Sequence, residues 1–211
     1  DSSGAYSGSA FMHDGKIHYF YTGNVKHFDR DDYDYVLTGR DQNQLHMVTG
    51  NPDKLGEKHI AAGPVDYPDD ISTHVRDPKI LEHDGIYYMV LGARTKDDRG
   101  CVLVYTSLDL ECWKYATRIE LGEKFGFMWE CPDLFELDGE LILVCCPQGV
   151  PADGWRYQNP HQCVWFRIEA DWEAPSFKIA GQGMPPMVDA GFDFYAPQSF
   201  ADADGRRIMI G

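Results

Sequence analysis

The chain has 211 residues, of which 43% are hydrophobic and 25% charged, a globular composition with enough apolar material for one core-bearing domain. Its formal net charge of −15 opposes phosphate backbones and anionic lipid, so neither nucleic acid nor a membrane is an expected partner, whereas a small neutral substrate is compatible with it. Aromatic residues, at 13%, favour strands or a sugar-binding surface over disorder or a helical bundle.

Taken from the N-terminus, Tyr6-Ser7-Gly8-Ser9-Ala10-Phe11 leads to Asp14-Gly15 and then to a strand-like run over 17–22. The acidic run 29–34 follows, most simply a solvated loop, since it lacks the spacing of a calcium loop. Arg76-Asp77-Pro78 opens the clearest unit, with strands expected over 78–82, 86–92, 101–107 and 113–120 around the turn Asp84-Gly85. Trp129-Glu130-Cys131-Pro132 opens the next, with the turn Asp138-Gly139 and strand-like runs over 141–145 and 164–168. Trp155, Trp165 and Trp172 in its outer part are expected to pack between sheets rather than form a carbohydrate platform. Ala196-Pro197-Gln198-Ser199-Phe200 opens a last unit with the turn Asp204-Gly205. No stretch shows helical periodicity with caps, so the chain is expected to be all-β.

Each Asp-Gly sits between two strand-like runs, as a tight hairpin turn requires. The turn glycines Gly15, Gly85, Gly139 and Gly205 are 70, 54 and 66 residues apart. A unit of that length holds about four strands, one blade of a β-propeller. The first strand of each blade lines the central axis, so Tyr6, Ser7, Arg76, Asp77, Glu130 and Cys131 are expected to converge there. Two carboxylates in one funnel suit glycosidic bond cleavage. The apolar neighbours of Glu130 are expected to raise its pKa, and Arg76 is expected to keep Asp77 ionised.

Other chemistries find little support. The eight histidines are scattered, there is no His-Glu-x-x-His, and the six cysteines lack ligand spacing, so no metal and no cofactor are expected. Ser7-Gly8-Ser9 is not a nucleophile elbow, and Pro186 breaks the glycine pattern that begins Gly181-Gln182-Gly183. The cysteines read as reduced thiols, which points to the cytoplasm and leaves secretion open. The longest apolar run, 141–146, is too short to span a bilayer.

The segments Tyr6-Ser7-Gly8-Ser9-Ala10, Tyr19-Phe20-Tyr21-Thr22-Gly23-Asn24, Arg76-Asp77-Pro78, Trp129-Glu130-Cys131-Pro132-Asp133-Leu134-Phe135 and Phe192-Asp193-Phe194-Tyr195-Ala196-Pro197-Gln198 resemble, in order and rough spacing, the signature segments of glycoside hydrolase family 32. This is the family of invertases, sucrose-6-phosphate hydrolases, levanases and inulinases. The resemblance covers essentially the whole chain. It implies a five-bladed β-propeller, of which residues 1–211 would supply about three and a half blades, and hydrolysis of β-fructofuranosides with retention. By motif, Glu130 resembles the general acid/base and Asp77 the transition-state stabiliser beside Arg76. Tyr6 and Ser7 resemble the sugar subsite, Tyr for the usual Phe, with Cys131, Asp193 and Tyr195 near the pocket.

The family's nucleophile, an Asp in a Trp-Met-Asn-Asp-Pro-Asn-Gly-like segment of the first blade, has no counterpart, and Asn51-Pro52-Asp53 is only an echo of it. A C-terminal β-sandwich is also missing. These 211 residues alone are therefore expected to be inactive, and raw blade edges are expected to favour self-association or a complementary chain segment. A non-catalytic sugar-binding propeller and a fructosyltransferase are the alternatives. The substrate stays open among sucrose, sucrose 6-phosphate and fructans, because the sequence places no basic group at the pocket rim.

Overall fold

The computed structural model describes residues 2–181 and 183–211. Among them there is no helix, and the strands form three four-stranded antiparallel sheets and one two-stranded sheet. The first sheet runs β1 (Ala5–His13), β2 (Lys16–Lys26), β3 (Arg40–Thr49), β4 (Lys58–Ala62). The second runs β5 (Ile71–His83), β6 (Ile86–Thr95), β7 (Gly100–Ser107), β8 (Lys114–Ile119). The third runs β9 (Met128–Leu137), β10 (Glu140–Gln148), β11 (Val164–Asp171), β12 (Ser176–Ile179), and the last pairs β13 (Gln198–Ala201) with β14 (Arg207–Ile210). Each sheet is a simple meander in chain order. The first strands pack side by side, β1 on β5 and β5 on β9, as the inner strands of propeller blades do.

The repeat is visible in the backbone. The pairs His13↔Lys16, His83↔Ile86 and Leu137↔Glu140 close two-residue hairpins. In each hairpin both the Asp and the Gly have positive φ, 48° and 71° at Asp14 and Gly15, the type I′ geometry that follows strand twist. The fourth turn differs from the expectation. There β13 and β14 close at Ala201↔Arg207, and Asp202 caps a longer loop by accepting from the Asp204 and Arg206 amides, so Asp204-Gly205 is not a tight hairpin.

A second repeated device lies on the inner strands. Asp77, Cys131 and Ala196 each precede a proline and each have positive φ (64°, 48° and 51°). β-Branched or bulky residues tolerate that region poorly, and a residue held there is strained. Pairing shifts register at these kinks, between Arg76 and Lys79 and between Val144 and Cys146. The kinks leave Asp77-Pro78 and Cys131-Pro132 without register partners, while Arg76 and Glu130 before them stay paired with Gly92 and Cys146. In β1 the shift falls between Ala5 and Gly8, where a Cβ on Gly8 would stand 1.9 Å from the Phe20 carbonyl oxygen, so only glycine lets the two strands approach there.

The core sits between the sheets. Tyr88, Val90, Val102 and Val104 of the second sheet meet Trp129, Leu143, Val164 and Phe166 of the third, all buried. Trp172 stacks on His83 and meets Tyr88 edge-on, so it packs between blades, whereas Trp155 is exposed. All six cysteines are free. Among the described residues no helix is long and apolar enough to cross a membrane.

Candidate active site

The kinked strands β5 and β9, the kinked segment before β13 and the start of β1 enclose a pocket of about 530 Å³ at the axis. Its lining includes Tyr6, Ser7, Arg76, Asp77, Glu130, Cys131 and Tyr195, seven of the eight residues expected at the site. Asp193 is the exception. It lies in an exposed stretch and does not line the pocket, whereas Tyr195 and Ala196 of the same motif do. Asn51-Pro52-Asp53 lies in an exposed turn between β3 and β4, outside the pocket.

Glu130 accepts three hydrogen bonds from two residues. Arg76 donates to its Oε1 from Nε at 3.0 Å and from NH2 at 2.6 Å, and the Tyr195 hydroxyl donates to its Oε2. Arg76 is itself positioned by Gln42 Oε1 (3.4 Å) and His74 Nδ1 (3.2 Å), and His74 Nε2 donates to the Tyr35 carbonyl at 3.0 Å. Asp77 is buried. Its amide donates to Thr22 Oγ1 at 2.9 Å, and its Oδ2 accepts the Cys131 amide at 2.9 Å.

The electrostatics reverse the expected assignment. Burial pushes the Glu130 carboxyl up, but the Arg76 charge and the hydrogen bonds from Tyr195, Arg76 and Gln148 outweigh it and leave Glu130 below its ordinary value. Burial raises Asp77, and the Arg76 charge only partly offsets it. The sequence neighbour of Asp77 is thus the spatial partner of Glu130. Side chains on successive residues of a strand point to opposite faces, so adjacency in sequence was a poor guide to pairing.

Three lining residues escaped the sequence reading: Tyr35, Arg40 and Gln148. Arg40 lies over the Tyr35 ring, its Cζ 4.3 Å from the ring centroid. It is buried, and its Nε has no hydrogen-bond partner. This is a basic group at a pocket that was expected to have none at its rim. The loop that carries Tyr35 has no inner-strand motif to mark it, and Arg40 opens a third strand rather than a first.

The inner strands thus bring two carboxylates and an arginine to one axial pocket. Residues 1–211 match the Glycosyl hydrolases family 32 N-terminal domain over their whole length, and the chain belongs to that family. It is 39% identical to the sucrose-6-phosphate hydrolase of Bacillus subtilis (strain 168) and 40% identical to that of Salmonella typhimurium, over 100% of its length and 42% and 43% of theirs. Among solved structures it resembles the sucrose-6-phosphate hydrolase of Lactobacillus gasseri, with a TM-score of 0.83 at 32% identity over 99% of this chain and 41% of that one. It also resembles the GH32 beta-fructofuranosidase of Bombyx mori, with a TM-score of 0.80 at 34% identity over 97% and 42%. The chain spans less than half the length of these relatives.

Proposed function

We propose that the protein carrying this chain hydrolyses β-D-fructofuranosides with retention of configuration, and that it works in the cytoplasm, where its six free thiols stay reduced. The observation that supports the reading is the pair Glu130 and Asp77 at one pocket with Arg76 between them. Glu130 donates a proton to the leaving oxygen and later takes one from water. Asp77, with one oxygen already fixed on the Cys131 amide, binds fructose hydroxyls with the other. Tyr6 and Ser7 line the fructosyl side.

Retention needs a second carboxylate about 5–5.5 Å from the first. We place it in a segment outside these 211 residues, which alone give no turnover. Its arrival also resolves the low pKa of Glu130. A like charge at that distance raises the carboxyl and draws Arg76 away from it, which restores the acid form. In the whole protein Glu130→Gln should lower kcat/KM by about 10²- to 10⁴-fold without loss of fold. Turnover at the parent rate would remove Glu130 from the mechanism.

Among fructosides the substrate is sucrose 6-phosphate. Arg40 supports this, as a buried guanidinium with an unpartnered Nε at the same pocket as Asp77 and Glu130. A planar guanidinium suits a phosphate, with two parallel N–H donors. Arg40→Met should cut kcat/KM for sucrose 6-phosphate by about tenfold to a hundredfold and leave sucrose nearly unchanged, since hydrogen bonds to charged groups contribute about 1.5–3 kcal/mol. Equal losses on both sugars would reduce Arg40 to a structural role.

A further inference from the structure

Three of the histidines that look scattered in sequence are neighbours in space. His46 and His59 face each other as directly paired residues of β3 and β4. His18 lies against His46 on the β2 side, and Glu111 reaches the pair from the loop between β7 and β8. None of them lines the axial pocket.

The donor atoms converge. His46 Nδ1 is 3.1 Å from His59 Nε2, His59 Nε2 is 2.7 Å from Glu111 Oε2, and His46 Nδ1 is 3.8 Å from Glu111 Oε1. Ligands that share a tetrahedral zinc at about 2.0–2.2 Å stand roughly 3.3 Å from each other. The three separations bracket that value. Hydrogen bonds satisfy the cluster less well. His59 Nε2 carries at most one hydrogen, yet it faces both the His46 nitrogen and the carboxylate. If the hydrogen goes to one, the other meets a lone pair.

The surroundings hold the ligands in place. His46 is buried and stacks on Phe20, with ring centroids 4.2 Å apart and planes 3° from parallel. Its far nitrogen, Nε2, is 2.9 Å from His18 Nδ1, the kind of outer hydrogen bond that fixes the tautomer of a ligating imidazole. Asp109 Oδ1 accepts the amides of Glu111 and Cys112 at 2.9 and 2.8 Å, and the Leu110 side chain is buried, which anchors the loop that presents Glu111. The side chains of His59 and Glu111 are 42% and 49% exposed, so the site opens to solvent and an ion has a way in.

We propose that His46 Nδ1, His59 Nε2 and a Glu111 oxygen form a binding site for a first-row transition dication, zinc above all, with water in the remaining position. Two imidazoles and a carboxylate are the donor set such ions take, and magnesium or calcium, which want oxygen, would be poor occupants. The ion would join the outer strand of the first sheet to a loop of the second, away from the sugar site.

The test is equilibrium dialysis of the chelator-stripped whole protein against Zn²⁺ and, separately, Co²⁺, followed by metal analysis. The parent should be Cys112→Ser, because the exposed Cys112 thiol beside Glu111 is a competing ligand. One Zn²⁺ per chain should be retained, and the visible bands of Co²⁺ should be those of a low-coordinate site. His59→Ala and Glu111→Gln change partly exposed side chains, so the fold should survive. Each should weaken retention at least tenfold and abolish the rise in thermal midpoint that Zn²⁺ gives the parent. No retained metal, or retention equal in all variants, would overturn the proposal, the first leaving a shared proton in the cluster and the second placing the ion elsewhere.

Discussion

The second sheet has two neighbours, and it meets them in different ways. Toward the third sheet it presents Tyr88, Val90, Val102 and Val104, and receives Trp129, Leu143, Val164 and Phe166, a nearly dry apolar contact. Toward the first sheet, the apolar residues Met89, Leu91 and Leu103 give way near the axis to polar ones. The facing sides of β2 and β3 bury Thr22, Asn24, Gln42 and Gln44, each fully inaccessible. These groups are hydrogen-bonded into a ladder. Thr22 Oγ1 donates to Gln44 Oε1 at 2.7 Å, Gln44 Nε2 donates to the Val75 carbonyl at 2.9 Å, and Gln42 Oε1 accepts the Val75 amide at 3.0 Å. The ladder ends on Arg76 and on the Asp77 amide. Apolar packing therefore holds the blades together, while the polar ladder aims the site. A buried polar group costs stability unless it is paired, as Asn24 Nδ2 is not, but where the groups are paired they fix one geometry.

The largest effect should come from the apolar side. Leu103 is fully buried in the second sheet and does not line the pocket. Leu103→Ala should destabilise by about 2–5 kcal/mol, the range for a buried leucine that leaves a cavity. Below the melting transition, kcat and KM for the sugar should stay at parent values. A changed KM at full folding would show that packing also sets the site, and the division between the two faces would fail.

Acid should next expose the polar side. His74 lies beside Arg76, and burial, helped by the positive charges of Arg40, Arg76 and Arg94, lowers its pKa to about 4. An unfolded histidine titrates near 6.5. Between those values the unfolded chain binds more protons, so stability falls as pH falls through the window. The loss from this one residue is up to about 3 kcal/mol. His46, lowered to about 4 chiefly by burial, adds a similar slope. Thermal unfolding of the metal-stripped protein from about pH 7 down to pH 4.5 should show this decline, and His74→Gln should make it shallower by the His74 share. An unchanged slope in that variant would mean that His74 is protonated in the native state.

The contrast also explains what could be seen beforehand. The hairpins, the inner-strand motifs and the strands of the second sheet stand out because apolar residues and Asp-Gly turns mark them directly. β3 does not. Its buried face is Arg40, Gln42, Gln44 and His46, which no hydrophobic pattern detects, so the strand that positions Arg76 has no apolar signature. The pairing of Arg76 with Glu130 was hidden for a related reason. It joins residues 54 positions apart on two sheets, and only the kinks at Asp77 and Cys131 bring them together. Asp193 shows the opposite case, a motif residue in an exposed segment before β13 that does not line the pocket.

The smallest change separates positioning from packing most cleanly. Gln42→Leu keeps the volume of the side chain but removes the acceptor shared by the Val75 amide and Arg76 NH1. Two buried donors lose a partner, which should destabilise by about 1–3 kcal/mol. Arg76 would still reach Glu130, but with one anchor fewer on its guanidinium. A displacement of an ångström at a reacting group can cost about a hundredfold in rate, so the expected fall in kcat is about tenfold or more, with KM little changed. The acid limb of the pH–rate profile should move as well, because the hold of Arg76 on the Glu130 proton is loosened. Gln42→Glu restores the acceptor and should recover most of the rate. A variant that melts early but turns over normally with an unshifted profile would make the ladder a structural network only, and Arg76 would then be fixed by His74 and Glu130 alone.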